Sequence, residues 1–292
     1  MGTARTDGPP GAAPVEAQLR VGEVTLRYLS WGSPTDPTVV LLHGRGAIVE
    51  TWSEVADALA GRFHVLALEQ RGSGRSSWSP SGDYHLAHFV ADLEAFVDEV
   101  APGAFLLVGH SMGACTALVY AARHPDRVRA LVLEDGGPLG PAVTTSLRGE
   151  QVRLPSSFPG WAEARAHLGA GRPWLAGAAL DRRVAAGFVE RADGTIAWRS
   201  DVDGLFSAES IGRDELFLTG QWDAVRELRS PTLLLWASRQ PSLMEPEVAE
   251  RIERSNPCIH RVPVPSGHTI HEERFADFLA EVEPFLTAAP DR

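Results

Sequence analysis

Short runs of β-branched and aliphatic residues recur along the chain, and between them lie longer segments whose apolar residues return every three or four positions. The runs are Glu23–Trp31, Thr38–Leu42, Phe63–Leu68, Phe105–Val108, Val128–Leu133, Thr232–Trp236 and Ile259–Val264. Thr38–Leu42 and Phe63–Leu68 are near-continuous apolar runs, as in strands covered on both faces. The segments Leu86–Val100, Met112–Arg123, Pro246–Arg254 and Glu272–Leu286 carry helical spacing. Strand, helix, strand repetition predicts a mostly parallel α/β sheet.

The alternation breaks between about Pro138 and Gln221, where Gly, Pro and Trp are frequent. Helical pieces at Trp161–Leu168 and Trp174–Phe188 precede a polar Asp193-Gly194 turn, so this segment reads as an insertion and not another βα unit. Its place before the last two strands suggests a lid over the sheet's C-terminal edge, where open α/β sheets bind ligands. The expected organisation is a floppy tail over residues 1–14, an α/β core of 15–137 and 222–292, and a cap over 138–221.

Composition narrows the chemistry. With 292 residues, 44% hydrophobic and 22% charged, the chain is long enough for one large globular domain or two ordinary ones. All 27 basic residues are arginine, which removes Schiff-base, pyridoxal phosphate and Walker A chemistry. Net charge is −11 and the arginines are scattered among acids, so nucleic acid is not an expected partner. Cys115 and Cys258 are far apart and read as two buried free thiols. No apolar run approaches the ~18 residues of a membrane span, and Met1–Pro14 lacks the apolar centre of a signal peptide. The expectation is a cytoplasmic protein with a small-molecule substrate, no membrane partner, no metal and no cofactor. No His, Asp and Glu cluster has ligand spacing.

The strongest motif is Gly109-His110-Ser111-Met112-Gly113, directly after an apolar strand and directly before a helix. A serine on such a sharp turn is held in a strained conformation, and bulky neighbours would clash with the crossing backbone. The helix start directs free N–H groups at the same spot and favours a developing oxyanion. A second motif, His43-Gly44-Arg45-Gly46, follows Thr38–Leu42 and brings the Arg45 N–H beside that of Met112 as the expected oxyanion hole. His43 itself reads as structural. The Arg45 side chain is expected either near the pocket mouth, ready for a substrate carboxylate, or turned away into a salt bridge.

Serine needs a base, and His268 in Pro265-Ser-Gly-His268 lies just beyond the last strand. His271 is its rival but already begins the terminal helix, while His110 is expected to pack beneath the serine turn.

With these residues in place the chain resembles the α/β-hydrolase superfamily from about Val21 to Leu286. Glu69-Gln-Arg-Gly-Ser-Gly-Arg-Ser76 is similar to the family's D-x-R-G-x-G-x-S loop with Glu for Asp, and His124-Pro-Asp-Arg-Val128 also matches. The resemblance implies an eight-stranded sheet, a helical cap and a triad in the order Ser, Asp or Glu, His. A serine nucleophile argues against haloalkane dehalogenases and epoxide hydrolases. In most members the acid follows the penultimate strand, but Trp236-Ala-Ser-Arg-Gln-Pro241 offers no carboxylate there, and Glu245 and Glu247 fit the next helix start. A minority place it before the cap, where Leu131-Val-Leu-Glu-Asp135 ends. Asp135 is therefore the candidate, with Glu134 as rival and a dyad or distal acid left open.

The expected function is a serine hydrolase cleaving a small ester, lactone, amide or β-diketone-type C–C bond through an acyl-enzyme. The alternative is a cofactor-independent oxygenase, lyase or cyclase that uses the His268–Asp135 pair as a base on the same fold. Arg45, His110, Trp161, Trp174 and Trp198 are the candidate substrate contacts, and Trp222 a further candidate pocket wall, suited to a carboxylate or an aromatic group.

Overall fold

The structure, a computed structural model, describes residues 13–149 and 153–290. Two strands open it, β1 (Val15–Val21) and β2 (Val24–Trp31), followed by β3 (Thr38–Leu42), α1 (Ser53–Leu59) and β4 (His64–Glu69). Then come α2 (Leu86–Val100), β5 (Phe105–His110), α3 (Met112–Arg123) and β6 (Val128–Glu134). The insertion carries α4 (Pro141–Gly149), β7 (Ser157–Phe158), α5 (Trp161–Gly169), α6 (Gly177–Gly187), β8 (Phe188–Glu190), β9 (Ile196–Trp198), α7 (Val202–Leu205) and α8 (Glu215–Leu218). The chain returns through α9 (Gln221–Glu227), β10 (Thr232–Ala237), α10 (Pro246–Ser255), β11 (Ile259–Val264), α11 (Ile270–Glu273) and α12 (Phe275–Thr287).

Eight strands form one sheet in the order β1-β2-β4-β3-β5-β6-β10-β11. Strand β2 is antiparallel to both neighbours and the remaining pairs are parallel. Parallel pairing requires crossover helices, and these cover both faces. Successive side chains of β3 therefore enter different cores: Val40 and Leu42 pack with α2 and α3, Val39 and Leu41 with α1 and α12. All four are fully buried, which is why this strand has no polar position after Thr38. Complete burial of one such leucine stabilises by about 2 kcal/mol.

The strands Thr38–Leu42 and Ile259–Val264 and the helices Leu86–Val100 and Met112–Arg123 fall where the pattern places them. Other parts differ. Strand β1 alternates exposed Glu16, Gln18 and Arg20 with half-buried Ala17, Leu19 and Val21 at the sheet edge, a weak signal for a strand whose sole partner is β2. The expected C-terminal helix is two, broken at Arg274, whose φ of −134° leaves the helical region. The insertion adds a three-stranded sheet, β7-β9-β8, with the Asp193-Gly194 turn joining β8 to β9. There Gly194 takes φ +81° and Asp193 Oδ1 accepts from the Thr195 N–H at 2.9 Å. Phe158, Leu180, Val184, Phe188 and Ile196 give the insertion a core of its own.

Of the expected tail, residues 1–12 lie outside the described residues and β1 begins at Val15. Cys115 is buried as expected, but Cys258 is only half-buried, because it sits in the turn before β11. Among the described residues no helix is long and apolar enough to cross a membrane.

Candidate active site

Ser111 sits between β5 and α3 with φ 55° and ψ −117°, a conformation that costs a non-glycine residue roughly 1–3 kcal/mol. Its neighbours explain how it is held. A Cβ on Gly109 would lie 2.4 Å from the Gly113 carbonyl oxygen, and one on Gly113 2.4 Å from the Leu42 carbonyl oxygen. Backbone meets backbone here, so no side chain can swing aside. The Ser111 N–H donates to the Glu134 carbonyl at 2.9 Å and ties the turn to β6. Gly113→Ala is expected to cost at least about 2 kcal/mol through this clash, seen as a lowered thermal midpoint; an unchanged midpoint would contradict the packing.

From this turn the Ser111 Oγ reaches His268 Nε2 at 2.9 Å, and His268 Nδ1 reaches Asp135 Oδ2 at 2.7 Å. A carboxylate only accepts, so Nδ1 carries the proton and Nε2 accepts from the serine hydroxyl. Asp135 follows β6, has φ +40°, and is completely buried. Aspartate tolerates this left-handed backbone better than most residues.

The segment after β10, which lacks a carboxylate, supplies donors to one. The Ala237 N–H (3.3 Å) and Ser242 hydroxyl (2.9 Å) donate to Asp135 Oδ1, and the Leu243 N–H donates to Oδ2 at 3.2 Å. Three such donors fix the orientation of the buried carboxylate towards His268. Ser242 and Leu243 were not legible as site residues, since hydroxyls and backbone N–H groups have no motif.

Glu134 is committed elsewhere. Its carboxylate accepts from His271 Nδ1 at 2.8 Å and from the His271 N–H at 2.9 Å, and the His271 ring stacks on Trp52 at 4.1 Å between centroids. Adjacent acids thus serve different histidines. His110 packs against both, 4.7 Å from His268 and 5.2 Å from His271, and its Nε2–H donates to the His268 carbonyl at 2.9 Å. It supports the histidine loop as well as lying beside the serine.

His43 fastens the other loop: its Nδ1–H donates to the Gly44 carbonyl at 2.8 Å and its Nε2 accepts from the Gln70 N–H at 3.0 Å. Burial holds His43 and His110 as neutral rings, with pKa values pulled from 6.5 to about 4 and about 3. Both lie below the value in an unfolded chain, so below pH 6.5 the unfolded chain binds more protons and stability falls as pH drops towards 4. Burial opposes ionised Glu134, but its electrostatic interaction with His271 and the His271 hydrogen bonds outweigh it and hold the carboxyl below its usual range. That contribution is present above about pH 4.5 and is also lost in acid. The unfolding free energy from urea titration is expected to decline between pH 6.5 and 4, by on the order of 3 kcal/mol per histidine. A flat profile over that range would contradict these assignments.

A Cβ on Gly44 would lie 3.2 Å from the Ser111 Cβ, so the loop that carries the Arg45 N–H passes directly against the serine. The Met112 N–H is in the first turn of α3, where no intrahelical acceptor exists. A cavity of about 240 Å³ opens at Ser111, His110 and His268 and is walled by Leu175, Phe188, Trp198 and Phe206 of the insertion. Among the described residues no group of three or more His, Cys, Asp or Glu side chains is placed to hold a metal ion.

Of the candidate contacts, His110 and Trp198 border this cavity, whereas Trp161 and Trp174 do not. Trp161 opens α5 and is 43% exposed on its outer side, and Trp174 borders a smaller neighbouring cavity. Trp222 lies under the Arg251 guanidinium at 4.0 Å. Arg45 borders the cavity, but its Nη1 donates to the Leu205 carbonyl at 3.0 Å and its guanidinium lies 5.1 Å from the Phe217 ring centre. The charge is therefore turned into the protein, where burial lowers its pKa to about 10 and leaves it protonated near neutrality.

Residues 37–275 match the family model described as alpha/beta hydrolase fold. An esterase of Mycobacterium tuberculosis is 28% identical over 272 residues, covering 90% of this chain and 86% of that protein. An sn-1-specific diacylglycerol lipase of Mus musculus is 28% identical over 264 residues, covering 87% and 82%. Among solved structures, a thioesterase domain from the curacin biosynthetic pathway superposes with a TM-score of 0.81 at 24% identity, covering 95% of this chain and all of that one. At that identity the likeness shows the fold alone. The chain belongs to the α/β-hydrolase family and is an enzyme of the hydrolase class.

Proposed function

From that membership we propose that the protein is a serine hydrolase of small esters, lactones, amides or β-diketone-type C–C bonds. Ser111 attacks the carbonyl, His268 takes the hydroxyl proton at Nε2 and returns it to the leaving group, and Asp135 orients the ring and stabilises its cationic form. The Arg45 and Met112 N–H groups hold the oxyanion, and water, deprotonated by His268, then releases the acyl group. Residues 138–221 act as a cap that walls the cavity and limits substrate size.

The observation that carries this reading is the continuous relay from Ser111 Oγ to His268 at 2.9 Å and on to Asp135 at 2.7 Å. In the oxygenase, lyase or cyclase alternative, the His268–Asp135 pair takes a proton from the substrate and Ser111 only hydrogen-bonds it; the serine hydroxyl's bond to Nε2 supports the hydrolase reading. Relatives named esterase and lipase favour the same side. A fluorophosphonate probe is expected to label Ser111, located by peptide mapping, and His268→Ala to suppress the labelling. Folded protein that stays unlabelled at Ser111 would count against the reading.

A further inference from the structure

The wall of the cavity facing Ser111 is charged in a way the chain as a whole is not. Among its lining residues are three arginines, Arg45, Arg172 and Arg183, and one carboxylate, Glu272, an excess of two positive charges in a chain of net charge −11. Arg45 is turned into the protein, as described above. Arg183, on α6, donates its Nη2 to Glu272 Oε1, joining the insertion to α11, and the two side chains are only 14% and 12% exposed. Arg172, between α5 and α6, is held by the Leu168 carbonyl at 2.8 Å and shares the field of that same Glu272 with Arg183. Two guanidinium groups and one carboxylate thus line the cavity, the Arg183–Glu272 pair largely buried and Arg172 open to solvent.

We propose that the substrate carries a carboxylate and that Arg172, with Arg183 beside it, binds it, so that the cavity selects a monoanionic ester or amide over a neutral one of the same shape. This rests on the reading of the cavity as the active site. With Arg183 matched by Glu272 and Arg45 turned into the protein, Arg172 is, among the described residues lining the cavity, the cation left for a substrate carboxylate to balance. A guanidinium also offers the planar donor pair that a carboxylate fits. The cavity's apolar walls, Leu175, Phe188 and Phe206, suit the short chain between that carboxylate and the scissile bond.

The test is calorimetric titration of the Ser111→Ala protein, which turns over neither ligand, with monomethyl glutarate and with neutral dimethyl glutarate. Monomethyl glutarate is expected to bind at least about tenfold more tightly. Arg172→Gln in the same background is expected to remove about tenfold of that preference, while Glu272→Gln, which takes away the competing carboxylate, increases it. Opposite signs separate charge recognition from a structural role, which would weaken binding in both. Arg172 is exposed, so its replacement does not threaten the fold. No measurable binding of monomethyl glutarate, no preference over the diester, or a preference unmoved by Arg172→Gln would overturn the proposal. So would tighter binding of methyl phosphate, which assigns the site to phosphate. Because the readout is binding, folded wild-type protein that the fluorophosphonate probe leaves unlabelled at Ser111 while this pattern holds would count against the serine-hydrolase reading and leave the carboxylate site standing.

Discussion

Asp135→Asn is expected to lower kcat on a small ester by about 10³–10⁴-fold with little change in KM. An amide presents one oxygen and one NH2 where Asp135 presents two acceptors. Three donors now converge on those acceptors, the Ala237 and Leu243 N–H groups and the Ser242 hydroxyl, with His268 as the fourth partner. If the NH2 faces His268, the imidazole turns to the tautomer protonated at Nε2 and no longer accepts from Ser111. If it faces Ala237 and Ser242 instead, the His268 cation loses its counter-charge. Either way a buried donor is orphaned, which costs about 1–3 kcal/mol of stability as well. Steady-state kinetics beside a thermal melt check both parts. Near-normal turnover would place the acid elsewhere, and Glu134, already bonded to His271, would not be the replacement.

Ser111→Ala is expected to abolish turnover, with a fall in kcat of at least about 10⁴-fold, and to leave the fold intact. The hydroxyl's hydrogen bond in the folded protein is to His268, so its loss affects the chemistry far more than the packing. Alanine keeps the strained backbone, because Gly109, Gly113 and the Ser111 N–H bond to Glu134 still define the turn. The double variant Ser111→Ala/His268→Ala is expected to be no slower than either single one, since the two groups act as a unit. Rates measured on one ester, with circular dichroism for the fold, decide this. Appreciable activity in Ser111→Ala would contradict covalent catalysis.

The parts of the fold that were legible are those whose residues have one environment. Strand Thr38–Leu42 is buried on both faces and reads as unbroken apolar sequence. Helix Leu86–Val100 keeps one apolar stripe and reads with its ends in place. Strand β1 was not read because its inward residues are only half-buried. The serine turn was legible because the clashes at Gly109 and Gly113 leave glycine as the residue that fits. Asp135 emerged because Trp236–Pro241 has no carboxylate, yet the donors in that segment could not be foreseen, since backbone N–H groups are the same in every sequence. The tryptophans misled for a related reason. Trp161 and Trp198 look alike in sequence, and the docking of the insertion puts one outside and the other against the cavity. The same docking brings Arg172 and Arg183 to the cavity from a segment with no motif at all.

The central claim, an acyl group carried on Ser111, is tested most directly by acid-quenching the enzyme during turnover of a small ester and weighing the peptides by mass spectrometry. The account predicts the acyl mass on the peptide that contains Ser111, absent from Ser111→Ala. Steady turnover with that peptide unmodified, even at the shortest quench times and with the poorest-leaving acyl groups, would contradict it.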